Sequence, residues 1–222
     1  MKPNELLNLI KTSRSIRIFT GKKVASKDIE KIIEAGIWAP SGCNNQEIKF
    51  LVLDKPKEVA QIVDVKPFFQ GVSTFILVFC DMSRPRSNWL YIKRPMGRHV
   101  PEIDAGLAAG NMMLMAESLG IGTCVFNLTK WHFGQSVSKV RFIRKVIRFF
   151  RHKYLFQVEQ LENNMEYILR RKLKVPNQYK IICGLALGYT KFYPDVKKIK
   201  HGTEPIMRGK LENYLIKRSH GK

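Results

Sequence analysis

The stretch Glu102 to Gly120 constrains this fold more than any other part of the chain. It is apolar or small on nearly every face, so a helix there has to be buried on most sides. Ala105, Gly106, Ala108, Ala109 and Gly110 let another backbone approach closely, and Gly120 is placed to stop the helix. The run Ala105 to Ala116 contains Asn111 and is too short to cross a bilayer, which takes about 20 residues. Other elements must therefore surround it.

The rest of the chain offers them. Leu6, Leu7, Leu9 and Ile10 suggest a short helix ending near Lys11-Thr12. Ile29, Ile32, Ile33 and Ile37 recur at helical spacing after Ser26, a natural N-cap, and Pro40 ends that helix. Pro56 to Val65 reads as a third helix. Ile48 to Leu53 reads as an internal strand, Phe75 to Cys80 as a buried one, and Gly122 to Phe126 and Tyr179 to Tyr189 as two more. With 222 residues, 45% of them hydrophobic, residues 1–222 make one domain with one sizeable core. Residues 82–101, rich in Arg, Pro, Ser and Lys, read as a surface excursion.

Residues 128–175 break this rhythm. Val140, Ile143, Ile147, Phe150 and Tyr154 form one helical stripe, and Lys139, Arg141, Arg144, Lys145, Arg148, Arg151 and Lys153 cover the other faces. A net charge of +21 speaks to partners and solubility rather than fold. No nucleic-acid motif or stacking platform accompanies it, so nucleic acid is not an expected partner. The stretch reads first as a solvated lid with its apolar stripe on the body; a surface helix meeting anionic lipid is an alternative, as is a lid for an acidic substrate. Cys43, Cys80, Cys124 and Cys183 and the five histidines show no ligand spacing, so no metal is expected and the thiols read as reduced. The N-terminus has no apolar signal region, which points to the cytoplasm.

Two polar blocks flank the second helix: Ser13-Arg14-Ser15-Ile16-Arg17-Ile18-Phe19 and Ala39-Pro40-Ser41-Gly42-Cys43-Asn44-Asn45-Gln46. Neither makes a good core. Together they offer cations, hydroxyls, amides and close backbone approach, the needs of an anionic heteroaromatic ligand.

These blocks, with Asp104-Ala105-Gly106 leading to Leu119-Gly120-Ile121-Gly122-Thr123-Cys124 and then Leu187-Gly188-Tyr189, resemble the nitroreductase family of FMN-dependent oxidoreductases. The first matches that family's R-R-S-x-R-x-F and the second its A-P-S-x-x-N-x-Q. The resemblance implies an α+β fold: a central mixed, mainly antiparallel sheet flanked by helices; residues 128–175, the least family-like part, read as a basic helical insertion. It implies a homodimer with two FMN sites at the interface and a swapped C-terminal arm, for which Leu211 to Ile216 is available. It implies an NAD(P)H oxidoreductase in which NADH or NADPH reduces FMN, which then reduces a nitroaromatic, quinone or other small oxidant by a ping-pong mechanism. A flavin-binding or membrane-associated module with little turnover is the alternative, as is a dedicated oxidase or dehydrogenase of an acidic substrate.

Residue by residue, the resemblance assigns Arg17 to the edge of the flavin ring and Arg14 and Ser15 to phosphate and ribityl. Pro40, Ser41, Gly42 and Asn44 reach the flavin of the other subunit, and the backbone at Asn127 and Leu128 faces the ring. Ser13 stands where the family has its first arginine, and Lys197, Lys198 or Lys200 is available to replace that charge. Glu47-Ile48 stands where relatives have Pro-Trp. No catalytic side chain is implied, because hydride transfer needs no protein acid or base.

Overall fold

The computed structural model describes residues 2–66, 69–83, 101–127, 171, 173–193, 200–201 and 204–205. Leu128, most of the 128–175 stretch, Lys197, Lys198 and Leu211 to Ile216 lie outside the described residues. Two units divide the chain, Met1–Lys191 and Phe192–Lys222. In the second, β5 (Lys200–His201) pairs antiparallel with β6 (Glu204–Pro205).

In the first unit, helices α1 (Pro3–Thr12) and α2 (Ser26–Ile37) lead through a 3-10 turn (Gly42–Asn44) into β1 (Ile48–Leu53). Helix α3 (Pro56–Val65), β2 (Thr74–Asp81), α4 (Pro101–Ser118), β3 (Gly122–Asn127) and β4 (Tyr179–Gly188) follow. The four strands lie in the order β1-β2-β4-β3, with every pairing antiparallel. Among the described residues, parallel character is confined to isolated bridges, Ser15 with Thr123 and Ile18 with Gln70. The expected α+β class is therefore observed. Among the described strands β1 is an edge rather than an internal strand, because its apolar run is matched by packing on its faces and not by a second neighbour.

Strand β2 is buried along its whole length because the sheet is covered on both sides. Phe75, Leu77 and Phe79 join one cluster with Leu53, Ile62, Phe69 and Phe126. Ile76, Val78 and Cys80 join the other with Ile29, Ile32, Ala105, Ala109 and Met112 of α2 and α4. Phe69, Phe75 and Phe126 meet edge to face, with ring centroids 5.1 to 5.6 Å apart. A bulge interrupts the β2–β4 register between Val78 and Phe79, so Val78 opposes Cys183 while Phe79 opposes Ile181. As a result the neighbours Ile182 and Cys183 both serve the α2/α4 side.

Helix α2 starts differently from the expectation. Ser26 is its first residue, Ala25 is the cap, and no side chain closes the terminus. Gly36 lets α2 settle on α4, since a Cβ there would lie 2.8 Å from Met112 Sδ. The Asn111 side-chain amide also donates to the Ala35 carbonyl at 3.2 Å. Helix α4 is buried along Asp104, Ala105, Ala108, Ala109, Met112 and Ala116, and Gly120 with φ +69° ends it as expected. Its other face stays apolar yet uncovered: Ile103 is 60% exposed and Leu107 44%. A Cβ at Gly106 or Gly110 would meet nothing within 4 Å.

Cys80 and Cys124 are buried free thiols and Cys183 is a partly buried one. Burial pushes the Cys183 thiol up to about 11, so it stays protonated at neutral pH.

Gly188 marks where the first polar block touches the sheet, for a Cβ there would stand 2.9 Å from Phe19 Cδ1. The substitution Gly188→Ala should destabilise the fold by about 1–3 kcal/mol through overpacking. Urea denaturation will check this; an unchanged midpoint would show that Phe19 can move aside freely.

Candidate functional site

The first block is fixed by alternation. Ile16 and Phe19 point into the core, 1% and 7% exposed, while Ser15, Arg17 and Ile18 stay on the outside. Gly122 accommodates Ile16, since a Cβ there would come within 2.9 Å of Ile16 Cγ1. Backbone bonds then lace the block to three segments. Ile16 N–H donates to Thr123 O at 2.7 Å, Gln70 N–H to Arg17 O at 3.0 Å, Phe19 N–H to Gln70 O at 2.8 Å and Thr20 N–H to Tyr189 O at 2.8 Å. The block thus meets β3 at Thr123 and runs on past Gln70 and Tyr189 as an extended rib, with Ser15 and Arg17 exposed beside β3.

The electrostatics agree with that placement. Burial pushes the Cys124 thiol up, while the Arg17 charge and a hydrogen bond from the Ser15 side chain draw it back. Arg17 and Ser15 are therefore both within reach of the middle of β3. Arg14 is partly committed elsewhere: its Nη1 donates to Lys11 O at 2.6 Å and Ser13 O at 2.7 Å, closing the C-terminal turn of α1. Its Nε is buried and has no hydrogen-bond partner among the described residues. A phosphate-bearing ligand with a polar ring fits this block, which offers the exposed Ser15 hydroxyl and the exposed Arg17 cation beside a buried Arg14 N–H with no acceptor among the described residues. Asn127 closes β3 opposite Cys183, on the strand along which the block lies.

The second block is a self-supporting turn. Asn44 N–H donates to Ser41 O (3.0 Å) and Asn45 N–H to Gly42 O (3.1 Å). Gln46 N–H donates to Ser41 Oγ (3.0 Å), and the Gln46 side-chain amide donates to Asn44 Oδ1 (3.0 Å). Asn44 and Gln46 both have φ of +53°, the left-handed region. The turn is pinned from outside by Asp104, a buried carboxylate in the first turn of α4 whose Oδ2 accepts Gly42 N–H at 3.0 Å. Glu47 is 1% exposed, and its carbonyl accepts Asp81 N–H at 2.8 Å as β1 begins.

One chain does not bring the two blocks together. The first lies by Thr123, just past the C-terminal end of α4; the second lies by Asp104 at the N-terminal end. The length of α4 between them is roughly 20 Å. Beside the second block, Ile37 and Trp38 are 65% and 79% exposed.

Two residues were not singled out by sequence reasoning. Asp104 appeared only as part of a motif, and its bond to Gly42 spans 62 positions, which no local pattern reveals. Lys66, whose ammonium is pushed down by burial, ends α3 in the turn that leads to Gln70 and so to Arg17. A lysine closing an apolar helix ahead of Pro67-Phe68-Phe69 was the available signal. Among the described residues no group of His, Cys, Asp and Glu could hold a metal, and no helix is long and apolar enough to cross a membrane.

The chain matches the nitroreductase family over residues 10–189. It is 29% identical over 131 residues to an FMN reductase [NAD(P)H] of Bacillus subtilis, covering 54% of this chain and 53% of the relative. It is 29% identical over 125 residues to an NADPH-flavin oxidoreductase of Vibrio harveyi, covering 54% and 52%. The chain thus spans about half the length of these curated relatives. In fold it resembles a structure assigned as a nitroreductase, in complex with FMN, from Desulfovibrio desulfuricans, with a TM-score of 0.64 at 23% identity over 100% of this chain and 99% of that one.

Removing the Asp104 carboxylate should leave Gly42 N–H without its acceptor. Asp104→Ala should then cost about 1–3 kcal/mol, and Asp104→Asn, which keeps an acceptor, clearly less. Denaturant midpoints of the two variants provide the comparison, and equal losses would mean the bond contributes nothing.

Proposed function

The chain belongs to the nitroreductase family, and we propose that it is an FMN-dependent NAD(P)H oxidoreductase working as a homodimer. The observation that carries this reading is the first block: Ser15 and Arg17 held outward along β3 by the buried Ile16 and Phe19. When bound, FMN would accept hydride from NADH or NADPH and pass it to a nitroaromatic, quinone or other small oxidant in a ping-pong cycle.

The protein's part is binding and electrostatics. Arg17 supplies a fixed positive charge for the edge of the ring where negative charge gathers on reduction. Ser15 and the free Nε of Arg14 serve ribityl and phosphate. Ser13 stands where the family has an arginine, and Lys197, Lys198 and Lys200 are the candidates for replacing it. The family pattern assigns the backbone at Asn127 and Leu128 to the ring, and a leucine at that position would narrow the space for a stacked substrate.

The homodimer reading rests on two further features. The blocks are too far apart along α4 for one chain to present both to one flavin. The face of α4 that would join two chains is apolar and small, with Ile103 and Leu107 exposed and open space over Gly106 and Gly110. A second copy covering that face would bring its own Pro40, Ser41, Gly42 and Asn44 to the first chain's flavin. Leu211 to Ile216 is the segment proposed for arm exchange. A reductant drawn from the NAD(P)H pool, together with free thiols, points to the cytoplasm.

Purified protein should be yellow, release FMN on denaturation and bleach anaerobically with NADH or NADPH. Colourless protein that FMN cannot reconstitute would refute the flavin assignment.

Sharing of the site has its own test. Arg17→Ala and Asn44→Ala homodimers should each weaken both flavin sites. A mixed dimer of one chain of each, isolated through two different tags, should regain one site of near wild-type affinity. If the mixed dimer binds no better than either homodimer, both blocks serve one flavin from the same chain.

A further inference from the structure

The second block holds more information than its residue types convey. In isolation, Asn44 could offer a flavin either its carboxamide oxygen or its NH2 group, because both ends of the amide are exposed to choice. The turn removes that choice. The Gln46 Nε2 donates to Asn44 Oδ1 at 3.0 Å, which engages the oxygen from the protein side. The Asn44 side chain is otherwise exposed, and its Nδ2 makes no hydrogen bond among the described residues.

Gln46 is itself held. Its N–H is bonded to Ser41 Oγ, and its backbone is in the left-handed region, as is that of Asn44. For a glutamine that conformation is disfavoured, and it persists only where surrounding contacts over-determine it. Those contacts are visible: the Ser41 hydroxyl, the turn bonds from Asn44 and Asn45, and the Asp104 anchor on Gly42. The backbone geometry brings residues 44 and 46, two apart in sequence, into side-chain contact.

Resting on the proposed flavin site, we infer that Gln46 is a positioning residue that turns Asn44 into a dedicated hydrogen-bond donor toward a ring carbonyl of the partner subunit's FMN. The chemistry follows from the charge on each redox form. Reduction makes the pyrimidine end of the flavin more electron-rich, and a donor binds an electron-rich oxygen more tightly than a neutral one. An Asn44 fixed as donor therefore favours reduced over oxidised FMN. An amide free to turn over would present its oxygen part of the time and lose that preference. Gln46 touches no flavin in this arrangement; it acts through Asn44.

The test is a double-mutant cycle on the full-length, FMN-loaded homodimer. Its readouts are FMN affinity in the oxidised and reduced states and the flavin midpoint potential. Gln46→Asn tolerates the left-handed backbone but is too short to keep the tether, and Gln46→Gly removes the side chain without strain. Using both separates loss of the tether from misfolding. Each should weaken binding of reduced FMN by about tenfold more than binding of oxidised FMN, which lowers the two-electron potential by about 30 mV. Asn44→Ala should do at least as much, and adding either Gln46 change to it should alter nothing further.

Additive effects would overturn the inference, because Gln46 would then act independently of Asn44. So would unchanged potentials in both Gln46 variants alongside a lowered potential in Asn44→Ala, an outcome that leaves the flavin site standing. If Asn44→Ala changes neither affinity nor potential, the assignment of this turn to the flavin falls, and the role of Gln46 falls with it.

Discussion

Apolar side chains leave β2 on both faces, Phe75, Leu77 and Phe79 to one side and Ile76, Val78 and Cys80 to the other, and the site depends on both clusters they enter. The first cluster takes in Ile16 and Phe19, and so holds Ser15 and Arg17 along β3. The second takes in α2 and α4, and so sets the helix whose first turn carries Asp104 and the turn pinned to it. Neither polar block has a core of its own. Each is a surface strip whose position is inherited from hydrophobic burial on one side of the same sheet.

Much of this was legible in the amino-acid sequence, for physical reasons. Helix spacing in Ile29, Ile32 and Ile33, the stop at Gly120, and the β-rich runs at 48–53 and 75–80 each follow from local sterics and side-chain pattern. The sequence expectation that one helix must be buried on most sides was half met: α4 buries Ala105, Ala109 and Met112 within its own chain and leaves Ile103 and Leu107 uncovered. Apolarity says that a face wants cover without saying which chain supplies it. For the same reason the β1 run looked internal. A strand packed on its faces has the same composition whether or not a neighbour pairs with both of its edges.

The site was legible in kind more than in detail. Residue types identified the cationic and hydroxyl donors, and the family pattern ordered them. What the pattern could not disclose is which atoms the protein itself already uses. Arg14 Nη1 is occupied by the last carbonyls of α1, Gly42 N–H by Asp104 and Asn44 Oδ1 by Gln46. These bonds reach across one to 62 positions and depend on backbone geometry, including a left-handed glutamine that no propensity argument would place in sequence.

The bulge opposite Val78 and Phe79 has a consequence for how the two halves of the sheet relate. Beyond it, the inward-outward alternation of β4 is shifted by one: Gly184 and Ala186 lie on the same side as Tyr179 and Ile181, with Ile182 and Cys183 as the doubled step. The extra residue works like a phase slip in a wave. It allows the end of β4 that meets the Arg17 rib to keep one parity of large and small side chains, and the end nearest the Asp104 turn to keep the opposite one. Without it, Lys180 would move to the Phe79 side of the sheet and Ile181 to the α2/α4 side.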